Sequence, residues 1–169
     1  MDYYDIALSS GLEKLGGMLG YKKILVAGKD FPVAEIGSNE NQSGRVAIGS
    51  DTNTLLKACR AFASAVILNT YAIDKSLIEG LKEYHTILII PFNQIIGNTG
   101  FKLSKSLYLA RRLFLYAKKK RIEVGFATLA DSELGMESYI QLIELAKLIG
   151  ASDEDARKGL NIAGRLVNV

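Results

Sequence analysis

Short apolar runs alternate along the chain with stretches of helical periodicity. The runs are rich in β-branched residues and contain few polar ones, which is typical of strands buried on both faces of a parallel sheet. These predicted strands cover residues 4–8, 23–27, 33–36, 45–48, 65–68, 86–90 and 124–128. The predicted helices cover about 11–19, 52–62, 75–84, 101–120, 136–149 and 153–160. Because strand and helix alternate with short links, we predict a parallel α/β fold.

Capping residues at three predicted helix starts support these assignments. Asp51 or Thr52 precedes one helix and Asp74 another, and such side chains accept hydrogen bonds from the free N–H groups of a first turn. A third helix begins with Ser152, followed three residues later by Asp155, which is the spacing of a capping box.

Chain length leaves two architectures open. We expect residues 1–169 to form a single domain, with the polar segment 37–44 as a loop inside it. An open doubly wound sheet and a barrel both match the alternation of strands and helices. A full eight-unit barrel takes about 250 residues. A barrel with seven strands in 169 residues would therefore be compact, with some helices shortened or missing.

Composition places the chain among ordinary globular proteins, with 49% hydrophobic and 23% charged residues. The longest apolar run, residues 87–92, is far below the roughly 20 residues that span a membrane. The acidic and aromatic start of the chain is unlike a secretory leader. The single cysteine, Cys59, cannot form an internal disulfide and suits a reducing compartment. We therefore expect a cytoplasmic protein that does not contact membranes.

Residue types that perform catalysis or bind metals are scarce. His85 is the only histidine, which excludes a multi-histidine metal site and a pair of histidine acid–base catalysts. We interpret His85 as a surface residue at a helix end and Cys59 as a packing residue. The chain has neither a glycine-rich dinucleotide motif after a strand nor a phosphate loop. We predict no catalytic residue.

Carboxylates leave one kind of metal site open. Asp5, Glu35, Asp51 and Asp131 lie near the ends of predicted strands, where a barrel would gather them at one mouth. Oxygen ligands of this kind suit Mg²⁺. We treat that site as the weaker alternative and predict no metal ligand in the chain.

Positive charge is concentrated in the predicted helix 101–120. Eight of the 21 Lys and Arg residues lie in or directly after it, and we predict that they bind RNA: Lys102, Lys105, Arg111, Arg112, Lys118, Lys119, Lys120 and Arg121. A local basic face can hold an anionic polymer although the net charge is only +3. On a helical wheel one arc should face the sheet, comprising Leu103, Ser106, Leu107, Ala110, Leu113, Phe114 and Ala117.

Apolar side chains interrupt the outer, basic face of this helix at Tyr108, Leu109, Leu115 and Tyr116. A solvated helix with a basic last turn would complement its own dipole, but that explanation leaves these residues unaccounted for. Cations interleaved with tyrosine suit phosphate contacts together with stacking on unpaired bases. They equally suit a partner protein, and we predict Tyr108, Leu115 and Tyr116 as a partner interface.

Several segments, taken in order, resemble the archaeal ribonuclease P protein component 3 family. The similarity runs from about Arg45 to Val167 and is strongest in the tail, residues 142–150 and 153–160. It also includes the strand–turn–helix 46–56, the strand 65–69, and the strand 87–90 leading into 92–96. The first 44 residues resemble the family only in the order of elements. The loop after residue 90 departs from the pattern, with Asn93 and Gln94 where relatives often have arginine and proline.

The resemblance implies a compact, irregular TIM-barrel-like (β/α) fold with a mostly parallel sheet. It also implies a subunit of ribonuclease P, the ribonucleoprotein that cleaves the 5′ leader from precursor tRNA. The RNA of that endonuclease performs the hydrolysis with Mg²⁺, so the chain itself would be noncatalytic and bind no cofactor. The implied partners are ribonuclease P RNA, precursor tRNA indirectly, protein component 2 and other protein subunits.

Two other functions stay open at this point. One is a structural protein-interaction module that docks a partner through the face around Tyr108 and Leu115. The other is a stand-alone metal-dependent hydrolase of the phosphoesterase type, with Asp5, Glu35 and Asp131 at the barrel mouth.

Overall fold

Seven strands and seven helices alternate in a computed structural model, which describes residues 2–31, 33–34, 46–61 and 63–166. The strands are β1 (Tyr4–Ala7), β2 (Lys23–Val26), β3 (Val33–Ala34), β4 (Val46–Gly49), β5 (Ala65–Leu68), β6 (Ile87–Pro91) and β7 (Val124–Ala127). The helices are α1 (Gly16–Leu19), α2 (Thr52–Arg60), α3 (Lys75–Glu83), α4 (Asn93–Ile96), α5 (Gly100–Lys119), α6 (Tyr139–Leu148) and α7 (Asp153–Arg165). Short 3₁₀ turns cover Leu12–Leu15 and Glu133–Gly135.

All strand ladders in the described part of the chain are parallel. One sheet has the order β3-β4-β5-β6-β7, and β1 pairs with β2. Beyond the end of β7, the Leu129 N–H donates to the Ile6 carbonyl at 2.9 Å and the Leu8 N–H to the Ala130 carbonyl at 2.8 Å. Within each sheet neighbouring strands follow chain order, and the end of β7 lies beside β1, as in a barrel; between β2 and β3 the described residues show no ladder. The predicted compact β/α fold with a parallel sheet is confirmed.

Successive residues of the strands are buried alternately in two separate apolar clusters. The inner cluster contains Ile6, Leu25, Ile67 and Ile89, together with Leu166 from the end of the chain's last described segment. The outer cluster lies between the strands and the helices and takes the intervening strand residues, including Ile24, Val66, Leu88, Ile90 and Phe126. Burial on both faces explains why the strands are continuous apolar runs.

The predicted helix caps are confirmed. Asp51 accepts a hydrogen bond from the Thr54 N–H at 2.9 Å, and Asp74 accepts from the N–H groups of Ser76 and Leu77 at 2.8 and 3.0 Å. At the start of α7, the Asp155 N–H donates to Ser152 Oγ at 3.1 Å and the Ser152 N–H donates to Asp155 at 3.2 Å.

Several predicted boundaries were wrong for identifiable reasons. A capping box between Ser138 and Gln141 starts α6 at Tyr139 rather than at 136. The predicted helix 11–19 is a 3₁₀ turn followed by the single turn α1, which begins with two residues of low helix propensity, Gly16 and Gly17. Helix α7 continues past residue 160, because Leu160 and Ile162 bury an apolar face that outweighs the low helix propensity of its glycines.

Some residues of the predicted strands, loop and carboxylate site lie outside the described residues, namely Glu35, Ile36, the segment 37–44 and Arg45. Among the described residues, no helix combines the length and apolar composition that crossing a membrane requires.

A buried carboxylate joins β1 to the end of β7. Asp5 is fully buried. Its carboxylate accepts a hydrogen bond from the Ile6 N–H at 2.8 Å and another from the Thr128 N–H at 2.7 Å. The Thr128 hydroxyl donates to the other Asp5 oxygen at 2.6 Å. Burial raises the pKa of Asp5 to about 6, although the three hydrogen bonds oppose that shift.

The contribution of Asp5 to the free energy of unfolding should fall as the pH rises from about 4 to about 6. In that window the folded chain keeps the Asp5 proton, whereas the unfolded chain releases it near the ordinary value of 3.8. The loss should be on the order of 2–3 kcal/mol. Urea unfolding across this range should show it, and Asp5→Asn, which cannot titrate, should remove it. Asp131→Asn, at an exposed carboxylate, is the matched control and should keep the wild-type slope of unfolding free energy against pH. Parallel plots of unfolding free energy against pH for wild type and Asp5→Asn would contradict the assignment.

Helix α7 packs closely on the sheet because glycine faces it. A methyl group added at Gly159 would overlap the Phe126 ring and approach the Val124 carbonyl at 3.2 Å. On the opposite side of the contact, a Cβ at Gly125 would meet Ile162 at 3.2 Å. Two backbones therefore approach where side chains would hold them apart.

Gly159→Ala should lower the free energy of unfolding by about 1–2 kcal/mol, because the overlap with Phe126 outweighs the gain in helix propensity. Gly17→Ala is the matched control, since its added methyl group meets nothing within 4 Å. The control should be neutral or slightly stabilising, and chemical denaturation of the two variants measures the difference.

Candidate nucleic-acid interface

Helix α5 rests on the sheet through a buried stripe and presents its other side to solvent. Ala110, Leu113, Phe114 and Ala117 are buried, and the Phe114 ring lies 5.9 Å from that of Phe126 between centroids. These four residues confirm the arc that the helical wheel predicted. The other three members, Leu103, Ser106 and Leu107, are half-buried at the free end of the stripe.

The structure separates the eight predicted RNA-binding cations into two groups. Lys118 forms an ion pair with Asp155 of α7, and Lys120 forms one with Glu79 of α3 at 2.5 Å. The other six are exposed, and within the described ranges no carboxylate lies at ion-pair distance from them: Lys102, Lys105, Arg111, Arg112, Lys119 and Arg121. Because α5 itself contains no acidic residue, its outer face has an uncompensated positive charge.

The two ion pairs connect α5 to its neighbours. The hydrogen bond from Lys118 holds the pKa of Asp155 below its ordinary value. The hydrogen bond between Lys120 and Glu79 lowers the pKa of Glu79 and raises that of Lys120. Both pairs are solvent-exposed, so they orient side chains more than they stabilise the fold.

The three predicted partner residues differ in exposure and surroundings. Tyr108 and Leu115 are 59% and 44% exposed on the outer face, and the Arg112 guanidinium lies 5.6 Å from the Tyr108 ring. Tyr116 is half-buried on the side of α5 that faces α3, with the Lys120 ammonium 6.0 Å from its ring. Phe101 is 83% exposed at the start of the helix and was not predicted.

Two cavities open along the junction of α3 and α5, which we call the α3–α5 seam. The upper cavity, of about 510 Å³, is lined by Ile73, Lys75, Arg112, Leu115, Tyr116 and Lys119. The lower cavity, of about 280 Å³, is lined by Lys82, His85, Lys120 and Arg121 together with Glu123, Thr86, Leu81 and Ile122. Lys75 and Lys82 were not predicted as site residues, because the wheel of one helix does not show what a neighbouring helix contributes.

Two residues of the lower cavity have a left-handed backbone. His85 and Arg121 have φ values of 53° and 61° at the ends of α3 and α5. The following residues close each helix in the same way, with the Thr86 N–H donating to the Leu81 carbonyl at 2.9 Å and the Ile122 N–H to the Ala117 carbonyl at 3.0 Å. Glycine usually occupies this position, and another residue costs roughly 1–2 kcal/mol there. His85 is thus an exposed residue at a helix end, as predicted.

A separate apolar groove lies between α5 and α6. This α5–α6 groove, of about 450 Å³, is lined mainly by leucine and isoleucine, including Leu103, Leu107, Ile140 and Leu148. Ile140 and Leu148 are 57% and 62% exposed near the two ends of α6. Exposed apolar surface of this kind marks contact sites on many proteins.

Three of the carboxylates considered for a barrel mouth, Asp5, Asp51 and Asp131, are among the described residues and do not form a metal-binding group there; Glu35 lies outside those residues. Asp5 faces the helix layer, opposite to Ile6 of the inner cluster, and its oxygens are engaged by Thr128 and two N–H groups. Asp51 caps α2, and Asp131 is exposed. Within the ranges that the structure describes, no three His, Cys, Asp or Glu side chains are grouped so that they could hold a metal ion.

Comparison with known proteins shows likeness of fold without likeness of sequence. No family model matches the chain, and no curated protein matches it. An uncharacterized protein of known structure matches 73% of this chain with a TM-score of 0.52 and 14% identity. A. niger ochratoxinase matches 68% with a TM-score of 0.50 and 18% identity. The matched regions are 33% and 28% of those two proteins, so the chain spans a third or less of their length.

A third structure matches nearly the whole chain. It is a chain in the cryo-EM structure of archaeal ribonuclease P with mature tRNA, and the match has a TM-score of 0.64 and 15% identity. The match covers 98% of this chain and 80% of that chain. At such low identity the three likenesses define a class of fold, a compact parallel β/α architecture.

Glu79→Gln should increase the affinity of the chain for polyanions, because it releases Lys120 and removes a negative charge from the α3–α5 seam. Elution from heparin should move to higher salt, with little change in the urea midpoint. Glu144→Gln is the matched control, since it removes an exposed charge paired with Lys147 on α6. Equal elution of the two variants would mean that the effect is one of net charge alone.

Proposed function

We propose that this chain is a protein subunit of ribonuclease P, the ribonucleoprotein that removes the 5′ leader of precursor tRNA. The observation that carries the proposal is the match of 98% of the chain to a component of an archaeal ribonuclease P complex. The order of sequence segments, which resembles that of the component 3 family, agrees with this match. In this role the chain assists the catalytic RNA by binding RNA and a partner protein subunit.

The exposed cations of α5 are the proposed RNA contact. Lysine and arginine neutralise phosphates that would otherwise repel one another where an RNA folds on itself, and they displace condensed counterions. The RNA then needs less Mg²⁺ to adopt its active form. No chemical step is assigned to the chain: the hydrolysis and its Mg²⁺ belong to the RNA subunit in this proposal.

Protein component 2 is the proposed protein partner, together with other protein subunits of the complex. The α5–α6 groove supports a protein contact, because exposed leucine and isoleucine line it beside the basic face. The same groove favours the second candidate function, a structural protein-interaction module without RNA contacts. The likeness to ochratoxinase gives no comparable support to a hydrolase, since within the described ranges no three His, Cys, Asp or Glu side chains are grouped so that they could hold a metal ion, and Glu35 lies outside those ranges.

Cleavage of precursor tRNA at limiting Mg²⁺ tests the proposal. The assay combines cognate ribonuclease P RNA, the partner protein and this chain, either wild type or with Lys105, Arg111, Arg112 and Lys119 replaced by alanine. The variant should reduce the stimulation of cleavage roughly 10-fold or more. In direct binding to the RNA, the slope of log affinity against log salt should become less steep by about 3 units.

A matched variant controls for net charge. It combines four substitutions on other faces of the chain: Lys14→Ala, Lys22→Ala, Lys57→Ala and Lys158→Ala. Like the α5 variant, it changes the net charge from +3 to −1. This control should stimulate cleavage as the wild type does. If wild-type chain binds the partner protein but leaves cleavage and its Mg²⁺ requirement unchanged, the proposal is wrong and the interaction module is favoured.

A further inference from the structure

We propose that the α3–α5 seam binds a single-stranded segment of nucleic acid, with one unpaired base in the upper cavity against Tyr116. The inference rests on the proposed function, because it specifies which part of the basic surface meets RNA and in what form. Three independent observations support it: the charge along the seam, the lining of the upper cavity and the backbone at the lower one.

The charge of the seam suits an extended polyanion. Lys75, Lys82, Arg112, Lys119 and Arg121 line it, and no carboxylate in the described ranges pairs with any of them. The acidic groups present are already engaged, Glu79 with Lys120 and Glu123 with Arg165. Seven residues separate Lys75 from Lys82, which is about 10 Å along the axis of α3. A track of that length contacts successive phosphates better than it encloses one small anion.

The upper cavity suits a base. Ile73 and Leu115 make its lining apolar, and Tyr116 adds an aromatic ring. Lys75, Arg112 and Lys119 supply cations around that lining. A volume of about 510 Å³ lies within the range of roughly 300–1,000 Å³ that is usual for ligand pockets. An aromatic surface beside cations matches the way proteins hold unpaired nucleotides, by stacking the base and neutralising its phosphates. A base inside a duplex is paired and stacked, so it could not enter.

The lower cavity shows basic residues placed where the backbone disfavours them. His85 and Arg121 both occupy left-handed positions that glycine adopts without strain, and both line this cavity. Basic residues near helix C-termini complement the helix dipole, but that role needs no left-handed residue, and Lys82 and Lys120 already fill it. Two of the four non-glycine residues with positive φ in the described structure thus line this one cavity, whereas Tyr71 and Leu129 lie elsewhere. Residues held in such conformations are found at binding sites.

The first test separates stability from binding. The double variant His85→Gly and Arg121→Gly should unfold at a higher urea concentration, because it relieves two left-handed residues. It should also bind a fluorescent single-stranded oligouridylate more weakly, because two basic groups are gone. Lys14→Ala with Lys22→Ala is the control and should leave oligouridylate binding at the wild-type level. A double glycine variant that keeps full affinity would overturn the role of the lower cavity.

The second test concerns the base. Tyr116→Leu should weaken oligouridylate binding about 5- to 150-fold, the range expected for losing one stacked base. Tyr116→Phe should bind as the wild type does, since it keeps the ring. An abasic oligonucleotide of the same length should bind the three proteins equally, and an RNA hairpin without unpaired bases should bind less tightly than oligouridylate.

The outcomes distinguish this inference from the proposed function. The inference is overturned if Tyr116→Leu and Tyr116→Phe lose equal affinity for oligouridylate, or if the hairpin binds as tightly as oligouridylate does. It is also overturned if the wild-type chain binds oligouridylate with a dissociation constant above ~10⁻⁴ M at physiological salt. Protection of the seam by a partner protein instead of RNA would overturn it as well. If cleavage by reconstituted ribonuclease P nevertheless depends on the basic helix, the proposed function stands alone. If oligouridylate binds as expected while cleavage is unaffected, the seam stands and the ribonuclease P assignment falls.

Discussion

Burial of the strands on both faces is the constraint on which the rest of this structure depends. Inner-face residues such as Ile67 fill the space enclosed by the strands, and outer-face residues such as Val66 pack under the helices. The sheet therefore has few side chains left to perform chemistry, and its one fully buried acidic group, among the described residues, joins β1 to the end of β7. Charged and aromatic residues that contact other molecules have to lie on the outer faces of the helices.

Helix α5 shows how one element serves both packing and recognition. One side of it is anchored by Phe114 and its buried neighbours, while the other has a positive charge that no residue of the helix offsets. The ion pairs at Lys118 and Lys120 use two of the cations to hold the end of the helix against α7 and α3. The surface available to an anion is consequently smaller than the count of basic residues suggests, and it extends onto a neighbouring helix.

The fold could be predicted from the sequence because its determinants are local. Apolar runs, helical periodicity and caps such as Asp74 each act within a few residues, and they gave the strands and most helices correctly. Helix ends set by tertiary packing could not be predicted this way, as the continuation of α7 over its buried face shows. The position of Asp5 is a further case, because the partner that buries it, Thr128, is 123 residues away. The candidate site was predicted in part: the cations of α5 were found, but the seam depends on how α3 lies beside it.

The contact between β1 and the end of β7 affects how the chain folds during synthesis. Strand β1 leaves the ribosome well before its partner at the end of β7, which is 123 residues later in the chain. Until then one edge of β1 is unpaired, and pairing of this kind across a long loop is slow. Exposed apolar edges of that sort invite aggregation or capture by chaperones during synthesis. Helix α7 packs on both β7 and β1 and is translated last of the described elements, so these contacts form only after every described strand has been made.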